Sequence, residues 1–160
     1  MENELNEQVK VEAKSSANYL AMASWCEQNG FEKSAEFFYA QSDEERDHMM
    51  KIFRYINEVG GAAHSPEITN VVQDYDSFRG VFEVMLEQEI SVSRAINHLM
   101  DVCAKEKDHA TAQFLLWFVE EQREEEKYAR RILELFDVIG EEGTGRFFID
   151  KEIGKLTSAE

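Results

Sequence analysis

Proline is almost absent from this chain: one residue, Pro66, in 160, where ordinary usage of about 5% gives roughly eight. An interior proline removes a backbone hydrogen bond and clashes with the turn before it, so its scarcity leaves long, unbroken helices open. Cysteine is scarce as well. Cys26 and Cys103 stand 77 positions apart and form no Cys-x-x-Cys pair, which excludes a thiolate zinc site or a dithiol redox motif. Both are expected as reduced thiols. Basic residues are outnumbered, 17 lysines and arginines against 33 aspartates and glutamates, for a formal net charge of −16. Gripping nucleic acid or an anionic membrane requires a basic surface, so neither partner is expected. No run approaches 18 consecutive apolar residues, and nothing in the sequence is expected to span a membrane. The opening MENELNEQVK lacks the basic-then-apolar order of a secretory signal, so a cytoplasmic location is expected. Hydrophobic residues still make up 43%, too many for a disordered acidic chain. An acidic, all-α domain whose partners are cations remains.

Glycines punctuate the chain. Leu5, Val9, Tyr19, Ala23 and Cys26 recur at helical spacing, with Glu12 and Ser16 in the missing places. That pattern predicts a first helix over about 4–28, stopped by Asn29-Gly30. Phe38, Ile52, Ile56 and Val59 form the stripe of a second helix over about 31–59, ended by Gly60-Gly61. Residues 60–77, with Pro66 among them, read as neither helix nor tight turn. A third helix is predicted over about 77–105, with Phe82, Leu86, Ile96 and Leu99 inward. The polar run 105–108 joins it to a fourth over about 109–139, with Leu115, Phe118, Ala129, Ile132 and Phe136 inward. A short tail helix over about 146–156 follows. Helices of this length span roughly 40 Å. The long link, at about 3.3 Å per extended residue, reaches roughly 55 Å, enough to traverse the bundle. The predicted architecture is one domain, residues 1–160: a four-helix bundle of two antiparallel hairpins joined by one long crossover, plus the tail helix.

Polar residues interrupt every apolar stripe. Glu12 does so on the first helix; Gln41, Glu45 and His48 on the second; Glu89 on the third; Gln122 and Glu125 on the fourth. A single such glutamate most often turns out on a solvated face, and an isolated buried carboxylate costs several kcal/mol unless paired or metal-bound. Four helices with the same interruption need another explanation. Glu12 and His48 each stand 18 positions from Gly30, and Glu89 and Gln122 stand about 17 and 16 positions from the second turn. Both sets therefore fall near mid-bundle. Glu45-x-x-His48 places two of them on one helix face. Carboxylates with one imidazole suit iron or manganese, while thiolates, which favour zinc or copper(I), are lacking.

The segments Leu5-Asn6-Glu7-Gln8, Asp43-Glu44-Glu45-Arg46-Asp47-His48, Glu120-Glu121-Gln122 and Phe148-Ile149-Asp150-Lys151-Glu152 resemble bacterial non-haem ferritins, over essentially the whole chain. The resemblance implies a ferritin-like bundle and an iron-storage protein with ferroxidase activity. Fe²⁺ would be oxidised by O₂ or H₂O₂ at an intrasubunit di-iron centre, and Fe³⁺ mineral stored inside a homo-oligomeric 24-subunit shell. It further implies that Glu12, Glu45 and His48 hold a first iron, with Glu45 bridging to a second held by Glu89 and Glu125. A third iron would sit near Glu44, Glu121, Glu124 and Glu125. Tyr19 matches a tyrosine beside the centre, Gln122 a second-iron glutamine, and Trp117 an aromatic close by.

The sequence also departs from relatives of this type. Bacterioferritins and rubrerythrins carry two metal-binding Glu-x-x-His motifs; Gln122-x-x-Glu125 stands where the second would fall, and Glu106-x-x-His109 lies at the polar turn. No haem is expected, although Met49 and Met50 lie near the helix that ligates it in bacterioferritin. Animal ferritins line a three-fold channel with two acids on the fourth helix, and the matching positions here are Ala112 and Leu115. Two alternatives remain at this point: a structural bundle whose acids face solvent, and a rubrerythrin-like di-iron peroxidase without storage.

Overall fold

The computed structural model describes residues 1–157, and among them there are five helices and no strand. The first four are α1 (Glu2–Gln28), α2 (Glu32–Glu58), α3 (Phe78–Glu106) and α4 (His109–Ile139), followed by the short α5 (Gly145–Thr157). The boundaries agree with the sequence reading to within two residues. The first turn closes on Gly30 at φ +84°, and the second on Lys107 at φ +59°, a left-handed position that the sequence had not marked with glycine. Ser77 caps α3 by accepting the Gly80 N–H at 2.9 Å. Asp108 caps α4 by accepting the Thr111 N–H at 3.0 Å.

Contacts fix the directions of the helices. Ser16 and Ser42 exchange reciprocal bonds from hydroxyl to carbonyl at 2.7 and 2.8 Å, tying α1 antiparallel to α2 near mid-length. Glu4 meets His98 and Asn18 meets Gln88, so α3 runs antiparallel to α1. Gln41 meets Glu125 and Tyr55 meets Thr111, so α4 runs antiparallel to α2. The intervening residues 59–77 form the expected crossover. Near its start, Asn6 donates to the Ala62 carbonyl at 2.9 Å and accepts the His64 N–H at 2.9 Å. Further on, Lys14 donates to the Thr69 carbonyl, and at the far end the Tyr75 ring lies edge-on to Trp25 at 6.1 Å. The crossover thus tracks α1 from end to end.

The core divides in two. One cluster gathers Tyr19, Phe37, Phe38, Phe78, Phe82, Phe136, Ile149 and Ile153 with their neighbours, Cys26 among them. The other gathers Leu5, Val9, Met49, Ile52, Ile56, Ile96, Leu99, Leu115 and Phe118, with Cys103. The two free cysteines therefore lie in separate clusters. Full burial of each large apolar side chain contributes roughly 1.5–3 kcal/mol. Helix α5 docks through Ile149 and Ile153, both fully buried. It also supplies a cap for α2: Asp150 accepts the Ser34 N–H at 2.8 Å, the Ser34 hydroxyl at 2.7 Å and the Lys33 N–H at 3.2 Å. Phe31, which precedes α2, offers no side-chain cap. A Cβ on Gly154 would stand 2.9 Å from the Lys33 Cβ, so glycine permits this close approach.

One expectation is corrected. Val59, read as part of the α2 stripe, is exposed, because the helix ends at Glu58 and no further turn covers it. Leu115, read as inward on the fourth helix, is fully buried in the core. Ala112 beside it is half-buried.

Candidate metal centre

Glu12, Glu45, Glu89, Gln122, Glu125 and His48 are all buried, between the two apolar clusters. The solvated-face reading therefore fails for each of them. They reach this depth because they occupy the inward positions of their helices, each between apolar residues one or two turns away.

Glu12, Glu45 and His48 each offer one ligand atom, and those three atoms lie within 4.8 Å of one another. His48 Nδ1 stands 3.4 Å from Glu45 Oε2 and 3.9 Å from Glu12 Oε2. Among the described residues, no hydrogen-bond partner is found for Glu12 Oε2, Glu45 Oε2 or His48 Nδ1. Buried polar atoms in native proteins are nearly always partnered, so three that converge without a hydrogen-bond partner form a group that could hold a cation. The residues present fit a metal ion of the oxygen-and-imidazole type.

Around this trio the remaining carboxylates are held by neutral donors. Gln8 donates to Glu12 Oε1 at 2.8 Å, and Gln41 donates to Glu125 Oε2 at 2.7 Å. Gln122 donates to Glu89 Oε2 at 3.0 Å and also reaches the Glu89 carbonyl. The Tyr19 hydroxyl donates to Glu89 Oε1. Glu12 and Glu125 each thus have one oxygen clamped by an amide, which orients the other.

The electrostatics follow from crowding acids in a dry place. Burial pushes Glu12 well above the usual carboxylate range, and the charge of Glu45 pushes it further, while His48 and the Gln8 amide pull the other way. Burial likewise raises Glu45, with Glu89 and Glu125 adding to it. Glu89 is raised by burial against the opposing bonds from Tyr19 and Gln122. Burial and then Glu89 push Glu125 up to about 8. Burial, then Glu89, also raises the Tyr19 phenol well above its ordinary value. A metal cation would reverse each of these shifts on the carboxylates, displacing protons as it bound.

The acids assigned by resemblance to a third iron are arranged differently. Glu44, Glu121 and Glu124 are half-buried, and Glu124 Oε1 lies 3.6 Å from Arg123. Glu121 is near enough to Glu125 for its charge to act there. Among the described residues, these acids form no group as tight as the Glu12, Glu45 and His48 set. Trp117 packs edge-on to the His48 ring at 5.3 Å. Glu106 and His109 sit at the second turn, with Glu106 paired to the N-terminal amine. Met49 and Met50 pack within the aliphatic cluster.

Sequence reasoning missed Gln8 as a site residue and saw Gln41 only as an interruption. Gln8 lies one turn before Glu12 on the same face, and that spacing was the available signal.

Known relatives match nearly the whole chain. The family model described as "Ferritin-like domain" matches residues 2–139. A Haemophilus influenzae protein described as a probable bacterial non-heme ferritin-like protein is 42% identical over 154 residues, covering 96% of this chain and 93% of that one. A bacterial non-heme ferritin of Campylobacter jejuni is 36% identical, with coverage of 95% and 91%. Among solved structures, an open pore ferritin of the archaeon Archaeoglobus fulgidus superimposes with a TM-score of 0.93 at 36% identity, covering 96% of this chain and 95% of that one.

Proposed function

Because the chain belongs to the ferritin-like domain family, we propose that it takes up Fe²⁺, oxidises it at the mid-bundle cluster, and stores the ferric product inside a cytoplasmic shell of 24 copies. The observation that carries this reading is the trio of unpartnered, converging atoms on Glu12, Glu45 and His48. These three bind the first iron. Glu45 bridges to a second, which Glu89 and Glu125 hold, with Gln122 fixing Glu89. Glu44, Glu121, Glu124 and Glu125 take a third iron as it leaves.

The oxidation balances simply. Two Fe²⁺ ions give two electrons to one O₂, which with two protons becomes H₂O₂. With H₂O₂ as oxidant, the same two electrons and two protons give two waters. Protons are at hand, since raised carboxyls such as Glu125 release theirs as iron enters. The carboxylates then favour Fe³⁺ over Fe²⁺, because anionic oxygen stabilises the higher charge more. Tyr19 donates a hydrogen bond to Glu89 and orients that carboxylate.

Oxygen-free Fe²⁺ titration followed by air tests the reading. Hundreds to thousands of irons per particle are expected, and a Glu45→Ala, His48→Ala double variant should oxidise iron about 100-fold more slowly. Size-exclusion chromatography should give a particle far larger than the 18.6 kDa chain. Uptake that stops near two irons per chain would instead support the peroxidase. No uptake, or a double variant as fast as its parent, would overturn the assignment.

A further inference from the structure

The cleft between α2 and α4 reaches His48 from outside and is lined by Glu44, Asp47, His48, Trp117 and Glu121. Acids at its mouth suit the passage of cations. A basic side chain, Lys51, stacks on the Trp117 wall of this cleft. The Lys51 ammonium lies 3.4 Å from the centre of the Trp117 ring and 5.8 Å from that of Phe118. Helical side chains lean toward their helix N-terminus, so Lys51 folds back over the turn that carries His48. Trp117 is in turn packed on His48 and, at 4.9 Å, on Phe118. The lysine is half-buried, and Glu121, one turn along α4 from Trp117, acts on its charge.

We propose that Lys51, seated on Trp117, is a latch over the α2–α4 cleft that slows the movement of divalent cations into and out of the buried cluster. This rests on the metal-centre reading above and adds a residue to it. Lys51 contacts the ring of Trp117 rather than the ligand atoms, so it is a positioning residue. Its positive charge opposes an approaching cation, and its stem holds the indole against His48. A barrier of this kind raises or lowers both rates together and leaves the equilibrium affinity alone. A residue acting on the bound ion directly would change affinity instead.

The test uses the assembled protein with Trp25→Phe, so that Trp117 is the one remaining tryptophan and its fluorescence reports on the cleft. Co²⁺, which air does not readily oxidise at neutral pH, is mixed in a stopped-flow instrument, and its release is followed by chelator chase. Lys51→Met, and Lys51→Gln as a second neutral variant, should speed association and dissociation alike by about five-fold at low salt, with Kd held within about two-fold. Lys51→Arg should keep the parental rates within about two-fold. Neutral variants that bind Co²⁺ at parental rates would overturn the latch alone. So would a Kd that shifts as far as the association rate. Failure of Co²⁺ to bind any form, parent included, would overturn the latch and the metal-centre reading together.

Discussion

The two apolar clusters and the belt of acids between them obey opposite rules. In the clusters, Phe38, Phe82, Ile52 and Leu115 are fully buried and gain by every contact they make. In the belt, Glu12, Glu45 and Glu89 are as deeply buried, yet the first two and His48 retain atoms with no partner. The clusters stabilise the bundle, and the belt draws on that stability to keep charge where water cannot relieve it. A four-helix bundle can thus carry a destabilised centre if both of its ends are packed tightly enough.

The largest effect is expected in the apolar clusters. Phe82 contacts Phe38, Phe78 and Phe136 at ring distances of 5.0, 5.7 and 5.8 Å. Phe82→Ala should cost about 3–5 kcal/mol, seen as a lower denaturation midpoint with iron oxidation by the remaining folded protein preserved. A belt substitution should do the reverse. Glu125→Gln keeps a partner for the Gln41 amide and removes an acid whose pKa is raised by burial, and then by Glu89, to about 8. Metal-free protein carrying it should be more stable than the parent by about 4 kcal/mol at pH 8, and slower at oxidising iron.

The same shift sets a pH dependence. The folded protein holds the Glu125 proton up to about pH 8, whereas the unfolded chain releases it near its ordinary value of about 4.3. The stabilisation is therefore complete below about pH 4.3 and is lost as pH rises to about 8. Melting of metal-free protein should accordingly fall from pH 5 to pH 8 relative to Glu125→Gln, and bound Co²⁺ should flatten that difference. The smallest effect sharpens the contrast at the bundle's end. Asp150→Ala removes the cap of α2 and should cost about 1 kcal/mol by chemical denaturation, without moving the oxidation rate.

Most of the architecture was legible because periodic apolar residues and the near absence of proline speak the same language, one turn at a time. The belt was legible for a related reason: Glu12, Glu45, Glu89 and Glu125 stand where the period demands apolar residues. What escaped depends on contacts between distant positions. Asp150 caps a helix that begins more than 100 residues earlier, and no local pattern announces it. Lys51 reads as an ordinary solvated lysine until Trp117 is brought beside it. Val59 fits the α2 period, but the chain turns away there, so the stripe ran one residue too far.

The crossover along α1 has a consequence for timing. Glu12, Glu45 and His48 belong to the first hairpin, closed by a turn of a few residues, while Glu89 and Glu125 lie beyond the long link. Contacts near in sequence form sooner than those that must first close a large loop. During refolding, the three-atom group can thus take shape before the second pair of helices arrives.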